Sequence, residues 1–127
     1  MVKKILIVDD HSGFRKILKK FLEKQNLGLV MVEADSERSA VKKCLKEQPD
    51  IVLLELELPQ MNGIKTAKLI KGVSPRSKII IVTMFDSAQF RKDFFAEYVD
   101  HFIGKNEFEG RLIKVLRKCL KPGRKEG

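Results

Sequence analysis

Pro49–Gly63 reads PDIVLLELELPQMNG and contains the strand around which the predicted fold is built. Its first part, Ile51–Leu54, is a short run of β-branched and leucine residues, which is typical of a strand buried on both faces. An acid, Glu55, follows this run, and the next residues contain Pro59 and the pair Asn62-Gly63, which favour a loop. Open parallel sheets bind their ligands at the carboxyl ends of their strands. The sequence therefore predicts that Glu55 lies at such an edge.

Similar apolar runs recur along the chain and alternate with helical patterns. The predicted strands are Lys3–Val8, Leu29–Val32, Ile51–Leu54, Lys78–Thr83 and His101–Ile103. Helices are predicted where apolar residues recur at spacings of three and four. The residues that carry these patterns are Phe14, Ile17, Leu18, Phe21 and Leu22; Ala40, Val41, Cys44 and Leu45; Ala67, Leu69 and Ile70; Ala88, Phe90, Phe94, Phe95 and Tyr98; and Leu112, Ile113, Val115, Leu116 and Cys119. The apolar residues listed for the second and the last helix are expected to face the core.

Two serines mark the expected starts of the first two helices. Ser12 and Ser36 are predicted N-caps, because a serine hydroxyl can accept a hydrogen bond from the free backbone N–H groups of a first turn. Arg38 is expected at the position where a capping box would carry an acid.

Five alternations of strand and helix predict a parallel sheet covered by helices on both faces. With right-handed crossovers, the chain is expected to form a doubly wound α/β domain, a (βα)5 three-layer sandwich with a parallel five-stranded sheet. Residues 1–121 are expected to form this domain. Residues 122–127, PGRKEG, are expected to be a tail or the start of a linker.

Composition limits the classes of function. The chain has 127 residues, of which 43% are hydrophobic and 34% charged, as expected of one soluble globular domain. No apolar run approaches the ~20 residues of a membrane span, and the first residues lack a signal-peptide pattern. The net charge of +9 raises the question of nucleic-acid binding, but the lysines are spread over several helices instead of one stripe. Cys44 and Cys119 lack metal-type spacing and are expected to be reduced thiols in the cytoplasm.

Polar residues follow or end four of the predicted strands at one edge of the sheet. Asp9 and Asp10 follow the first strand, Glu55 the central one and Lys105 the fifth, and Thr83 ends the fourth. Three carboxylates form an oxygen-rich site suited to Mg²⁺, and a hydroxyl with an ammonium suits a phosphoryl group. Any one of them could simply cap a strand at a wet edge. Together they favour a functional site.

On these residues the chain resembles the receiver domain of two-component response regulators over nearly its whole length. The resemblance is carried by Val8-Asp9-Asp10-His11, Leu53-Leu54-Glu55, Pro59–Gly63, Thr83 and Lys105. The sequence segments DDHSGFR and IIIVTM are most similar to those of receivers attached to helix-turn-helix transcription factors. The resemblance implies a flavodoxin-like receiver fold and a cytoplasmic signalling role.

The resemblance also implies roles for individual residues. In the family, a histidine kinase's phosphoryl group passes to an Asp on the central strand, with Mg²⁺ held nearby. Asp9, Asp10 and Glu55 would then be metal ligands, Thr83 and Lys105 would contact phosphoryl oxygens, and Phe102 would be the aromatic switch position. The implied partners are a histidine kinase or another signalling protein, and a second copy through the fourth helix, fifth strand and last helix. DNA is implied only through an output domain outside these residues, and no membrane is implied.

Glu55 stands where the family has Asp. Its extra methylene moves the carboxylate by about 1.5 Å, whereas Mg²⁺ demands near-octahedral geometry and phosphoryl transfer depends on positioning. Phosphorylation at Glu55 is therefore expected to be very slow or absent, and Mg²⁺ binding weakened. Two states stay open. Glu55 either reaches Thr83 and Lys105 and imitates a phosphorylated Asp, or it pairs with Lys105 in a resting state.

Two classes of function remain after these arguments. The first is a phosphorylation-independent signalling module that acts by docking, and the second is a Mg²⁺-dependent phosphotransfer or phosphatase-like enzyme that uses the same acids. No Ser or Cys is predicted at the strand edge and no Gly-rich phosphate loop is present in the sequence, which disfavours the enzyme. Turnover of acetyl phosphate or a generic phosphoester distinguishes the two.

Overall fold

The computed structural model describes residues 3–56, 63–84 and 98–120. Its strands are β1 (Lys3–Val8), β2 (Leu29–Ala34), β3 (Ile51–Leu54), β4 (Lys78–Thr83) and β5 (His101–Gly104). Its helices are α1 (Ser12–Lys24), α2 (Glu37–Glu47), α3 (Gly63–Val73) and the last helix (Phe108–Leu120), which follows a 3₁₀ turn at Lys105–Glu107. Pro59, Asn62, the predicted fourth-helix residues Ala88, Phe90, Phe94 and Phe95, and residues 122–127 lie outside the described residues.

The five described strands form one parallel sheet in the order β2-β1-β3-β4-β5. The register places Val8 beside Leu54 and Leu54 beside Ile81, so that β1, β3 and β4 end at the same edge. The chain leaves β1 for β2 in one direction and then returns past β1 to form β3. This reversal creates a crevice between β1 and β3, where doubly wound sheets hold their ligands.

The core consists of two apolar clusters, one on each face of the sheet. Alternate strand residues such as Leu6, Val52 and Ile79 pack against α2 and α3, where Ala40 and Ala67 are buried. The residues between them pack against α1 and the last helix. Members of this second cluster are Ile5, Ile7, Ile51, Leu53, Ile80, Leu18, Leu22, Leu112 and Leu116. Since successive strand residues point to opposite faces, this alternation confirms the doubly wound three-layer fold.

Three apolar residues of the predicted helical patterns are exposed to solvent. The exposed fraction is 53% for Ile17, 62% for Leu45 and 40% for Leu69. The inward orientation expected of Leu45 is therefore wrong. A helix lying on a sheet buries a stripe narrower than its full apolar arc, and on α2 that stripe is occupied by Ala40 and Cys44.

The predicted helix caps are half right. Ser36 is the N-cap of α2, but its partner in the capping box is Ser39, which lies three residues on and replaces the expected Arg38. Ser12 is not a cap, because it is already the first residue of α1, and His11 precedes it in an extended conformation without a side-chain capping bond. Within the described residues, no helix is long and apolar enough to cross a membrane.

Candidate functional site

Glu55 is the central side chain of the site at the carboxyl ends of the strands. Its backbone N–H donates to the Val8 carbonyl at 3.0 Å, which continues the ladder between β1 and β3. Its side chain is 5% exposed, and its Oε1 lies 2.7 Å from Lys105 Nζ. Its Oε2 accepts a 2.7 Å hydrogen bond from the hydroxyl of Thr83. Both carboxylate oxygens are therefore held by donors, one at the end of β4 and one directly after β5.

Lys105, the first residue after β5, joins Glu55 to the acid pair. Its Nζ lies 2.8 Å from Asp9 Oδ2, and both side chains are largely buried. The ammonium also lies 4.4 Å from the ring centroid of Phe14, within the range of a cation–π contact. Burial lowers the pKa of Lys105, but hydrogen bonds to Asp9 and Glu55 outweigh that effect and leave the pKa above its ordinary value of 10.5. Lys105 is therefore a fixed positive charge at neutral pH.

His11 lies over the acid pair that follows β1. Asp9 Oδ1 accepts hydrogen bonds from the backbone N–H of His11 at 2.9 Å and from its Nδ1 at 3.0 Å, in the tautomer protonated there. The same Nδ1 lies 3.1 Å from Asp10 Oδ1, although the His11 side chain is 67% exposed. Because the Nδ1 proton is donated to Asp9, the buried Asp10 Oδ1 accepts no hydrogen bond from the described residues. His11 is therefore a largely exposed residue that still contacts both acids of the site.

Two site residues were not predicted from the sequence. Arg15 donates a 2.6 Å hydrogen bond from Nη1 to the Asp9 carbonyl, and its Nε contacts Glu33 Oε1 at 2.8 Å. Phe14 was predicted only as an apolar helix residue, yet its ring lies beside Lys105. Both belong to the first turns of α1, directly after the acid pair. Their position in the chain is the signal that could have found them.

Phe102 lies in β5 opposite Ile81 and is 2% exposed. It belongs to the cluster on the α2 and α3 face, together with Leu56 and Val99. This placement agrees with core packing, and its role as a switch residue stays a prediction.

Two acids after β1, one after β3, a hydroxyl at the end of β4 and a lysine after β5 are the set of residues that carried the resemblance to receiver domains, and the fold brings them to one edge of the sheet. Residues 5–117 match the family described as the response regulator receiver domain, and the chain belongs to this family. Receiver domains are signalling modules.

Particular relatives extend over most of the chain. It is 33% identical to the chemotaxis protein CheY of Thermotoga maritima over 121 residues, which cover 95% of this chain and 100% of that protein. It is 31% identical to the sensory transduction protein LytT of Bacillus anthracis, covering 93% of this chain and 47% of that protein. The chain thus spans the whole length of one relative and about half of the other.

Solved structures give the same fold. A LuxR-family two-component response regulator from Aurantimonas sp. SI85-9A1 superposes with a TM-score of 0.83 at 25% identity, covering 93% of this chain and 84% of that one. The response regulator domain of Thermotoga maritima CheB superposes with a TM-score of 0.83 at 23% identity, covering 97% and 99%. The flavodoxin-like receiver fold is confirmed.

Receiver domains typically bind Mg²⁺ through an acidic cluster, and the donors of this site do not fit that ion as they are arranged. Asp9, Asp10 and His11 offer ligand atoms within 4.8 Å of one another, but Glu55 is outside this group. Both oxygens of Asp9 and of Glu55 already contact Lys105, His11 or Thr83. Since Mg²⁺ requires near-ideal octahedral oxygen coordination, it could not bind Asp9 and Glu55 without displacing these contacts.

Proposed function

We propose that this chain is a receiver module of two-component signalling that acts without phosphorylation at its central acid. One observation carries the proposal: Glu55 contacts Lys105 and Thr83 at once, at 2.7 Å each. The family resemblance assigns these two groups to phosphoryl oxygens. The Glu55 carboxylate therefore accepts contacts from the same two donor groups that would bind a phosphorylated Asp.

The bond to Thr83 favours the imitating state over the resting state. A resting salt bridge requires only Glu55 and Lys105, and in it the hydroxyl of Thr83 would be available to other partners. Here Thr83 is 1% exposed and donates to Glu55. A carboxylate carries one negative charge against the roughly two of a phosphoryl group, so the imitation is electrostatically partial. Its burial compensates in part, because charge-assisted hydrogen bonds are stronger away from water.

The output of such a module is docking to another protein. The face that the resemblance implies includes β5 and the last helix, which carries Arg111, Lys114, Arg117 and Lys118. We propose a second copy of this chain or a signalling partner such as a histidine kinase as the occupant of this face. Control of transcription would act through an output domain outside the 127 residues, and Mg²⁺ would bind weakly.

The direct test is Mg²⁺-dependent labelling with acetyl phosphate, and with beryllofluoride as its mimic. The wild-type protein is compared with Glu55→Asp, and Glu55→Gln serves as the matched variant that keeps the length but loses the charge. We expect label on Glu55→Asp alone, because the shorter acid restores the family's acceptor. Label on the wild type at a comparable rate would show that Glu55 is a working acceptor, and the proposal would be wrong.

The imitating state has its own readout. Amide NMR spectra of the wild type should match those of Glu55→Asp with beryllofluoride around Thr83 and β5 better than those of untreated Glu55→Asp. The reverse match would assign Glu55 to the resting state. Assays with p-nitrophenyl phosphate test the enzyme class, and we expect no turnover beyond that of a Glu55→Gln control.

A further inference from the structure

We propose that Lys105 takes the place of the divalent cation in this receiver, so that the folded protein neither needs nor tightly binds Mg²⁺. The inference rests on the same carboxylate geometry as the proposed function. It concerns metal binding and stability, however, and not phosphorylation.

The ammonium of Lys105 lies between the acids that follow two neighbouring strands. Its Nζ is 2.8 Å from Asp9 Oδ2 and 2.7 Å from Glu55 Oε1, and thus bridges the crevice between β1 and β3. The exposed fractions of the three side chains are 9%, 3% and 5%, so water contributes little to their solvation. A cation that bridged the same carboxylates would have to displace the ammonium, and the displaced charge would lose both partners.

The carboxylate oxygens that do not contact Lys105 could provide few ligands for Mg²⁺. Asp9 Oδ1 already accepts two hydrogen bonds from His11, and Glu55 Oε2 accepts one from Thr83. Asp10 is thus the acid whose Oδ1 is left without a donor among the described residues. A single carboxylate is a weak site for Mg²⁺, which gives up its water ligands reluctantly and requires fixed geometry.

The length of the Glu55 side chain explains why the lysine can take this place. Its carboxylate reaches Lys105 and Thr83 together, and an Asp, shorter by about 1.5 Å, would lose at least one of these contacts. The oxygen that lost its donor would then be available to bind a cation. Glu55→Asp is therefore expected to regain affinity for Mg²⁺.

The decisive variant is Lys105→Met, which removes the ammonium and retains an apolar stem of similar length. Thermal unfolding is followed by circular dichroism with EDTA and with 10 mM MgCl₂, a concentration that should exceed the dissociation constant about a hundredfold if the three acids bind the ion well. We expect the Tm of the wild type to change by less than ~1 °C, and that of Lys105→Met to rise by about 5 °C or more. Lys20→Met, on the exposed side of α1, is the matched control and should behave as the wild type.

Isothermal titration with MgCl₂ gives the affinities directly. We expect Lys105→Met and Glu55→Asp each to bind at least tenfold more tightly than the wild type. Wild-type binding as tight as that of Glu55→Asp would overturn the inference. This comparison does not use Lys105→Met, so the test stands even if that variant fails to fold. Tight Mg²⁺ binding by an unlabelled wild type would overturn the expected weak metal binding but leave the phosphorylation-independent role intact, whereas labelling of the wild type would overturn that role alone.

Discussion

Thr83 donates a 2.7 Å hydrogen bond to Glu55, and this bond joins the ends of the adjacent strands β4 and β3. Both side chains are almost fully buried, with exposed fractions of 1% and 5%. A hydrogen bond to a charged group contributes more to the stability of the fold than a hydrogen bond between neutral partners. The bond is therefore a structural tie as well as a part of the site.

Replacing Thr83 with Val removes the hydroxyl and retains the shape of the side chain. We expect the free energy of unfolding to fall by about 1.5–3 kcal/mol, the contribution of a hydrogen bond to a charged group. Urea denaturation measures the change, and Thr83→Ser, which keeps the hydroxyl, should recover most of it. Full stability in Thr83→Val together with a loss in Thr83→Ser would mean that packing of the methyl group, and not the hydrogen bond, stabilises this edge.

Glu33 predicts an acid-sensitive component of stability. Hydrogen bonds from Lys19 and then Arg15 lower the pKa of Glu33 below its ordinary value of 4.5, although burial acts against them. Because the pKa is lower in the folded state, the stabilisation is present above pH 4.5 and is lost as the pH falls through the folded-state pKa. The carboxylate is 35% exposed, so the contribution at neutral pH should stay within about 1 kcal/mol.

Urea titrations of the wild type and Glu33→Gln from pH 7 down to pH 3 test this prediction. The two stability curves should differ at pH 7 and converge below pH 4.5. A constant difference over the whole range would show that the charge of Glu33 contributes nothing.

Two glycines of α3 predict opposite effects of the same substitution. A Cβ on Gly63 would lie 2.6 Å from Leu56 Cδ1 and 3.0 Å from the Leu56 carbonyl oxygen, whereas one on Gly72 would meet nothing within 4 Å. Gly63→Ala should destabilise the protein by about 1–3 kcal/mol through overpacking. Gly72→Ala should stabilise it by up to about 1 kcal/mol, since Ala is the better helix former. Equilibrium unfolding of both variants checks the pair, and effects of the same sign would contradict it.

Cys44 should resist alkylation in the folded protein. Burial raises the pKa of its thiol to about 12, and the side chain is fully buried in α2. Cys119 is half-buried, so iodoacetamide should modify it first. Peptide mass spectrometry at pH 8, with and without urea, should show Cys44 modified only as the protein unfolds. Rapid modification without urea would mean that α2 opens locally.

The buried strands were the most predictable part of the fold. β1, β3 and β4 have the bounds expected from sequence, because continuous apolar runs in a parallel sheet leave little choice of ends. The faces of the helices were less predictable. Leu45 is as apolar as Leu18, and only the position of α2 on the sheet determines that Leu45 remains in solvent.

Part of the site was predictable from the arrangement of the strands. Since parallel strands end together, Glu55, Thr83 and Lys105 had to lie near one another. The contacts of Lys105 with Asp9 and of Arg15 with the Asp9 carbonyl depend on side-chain conformations after the strands. Strand periodicity carries no information about those conformations.

The extra methylene of Glu55 also has a genetic consequence. Codons for glutamate and aspartate differ only in their third base, so one transversion exchanges the two residues. Under the proposed function, a single mutation would separate a module that signals without phosphorylation from one that requires it. Dependence on an upstream kinase would then change in one step, with the sheet and its core unchanged.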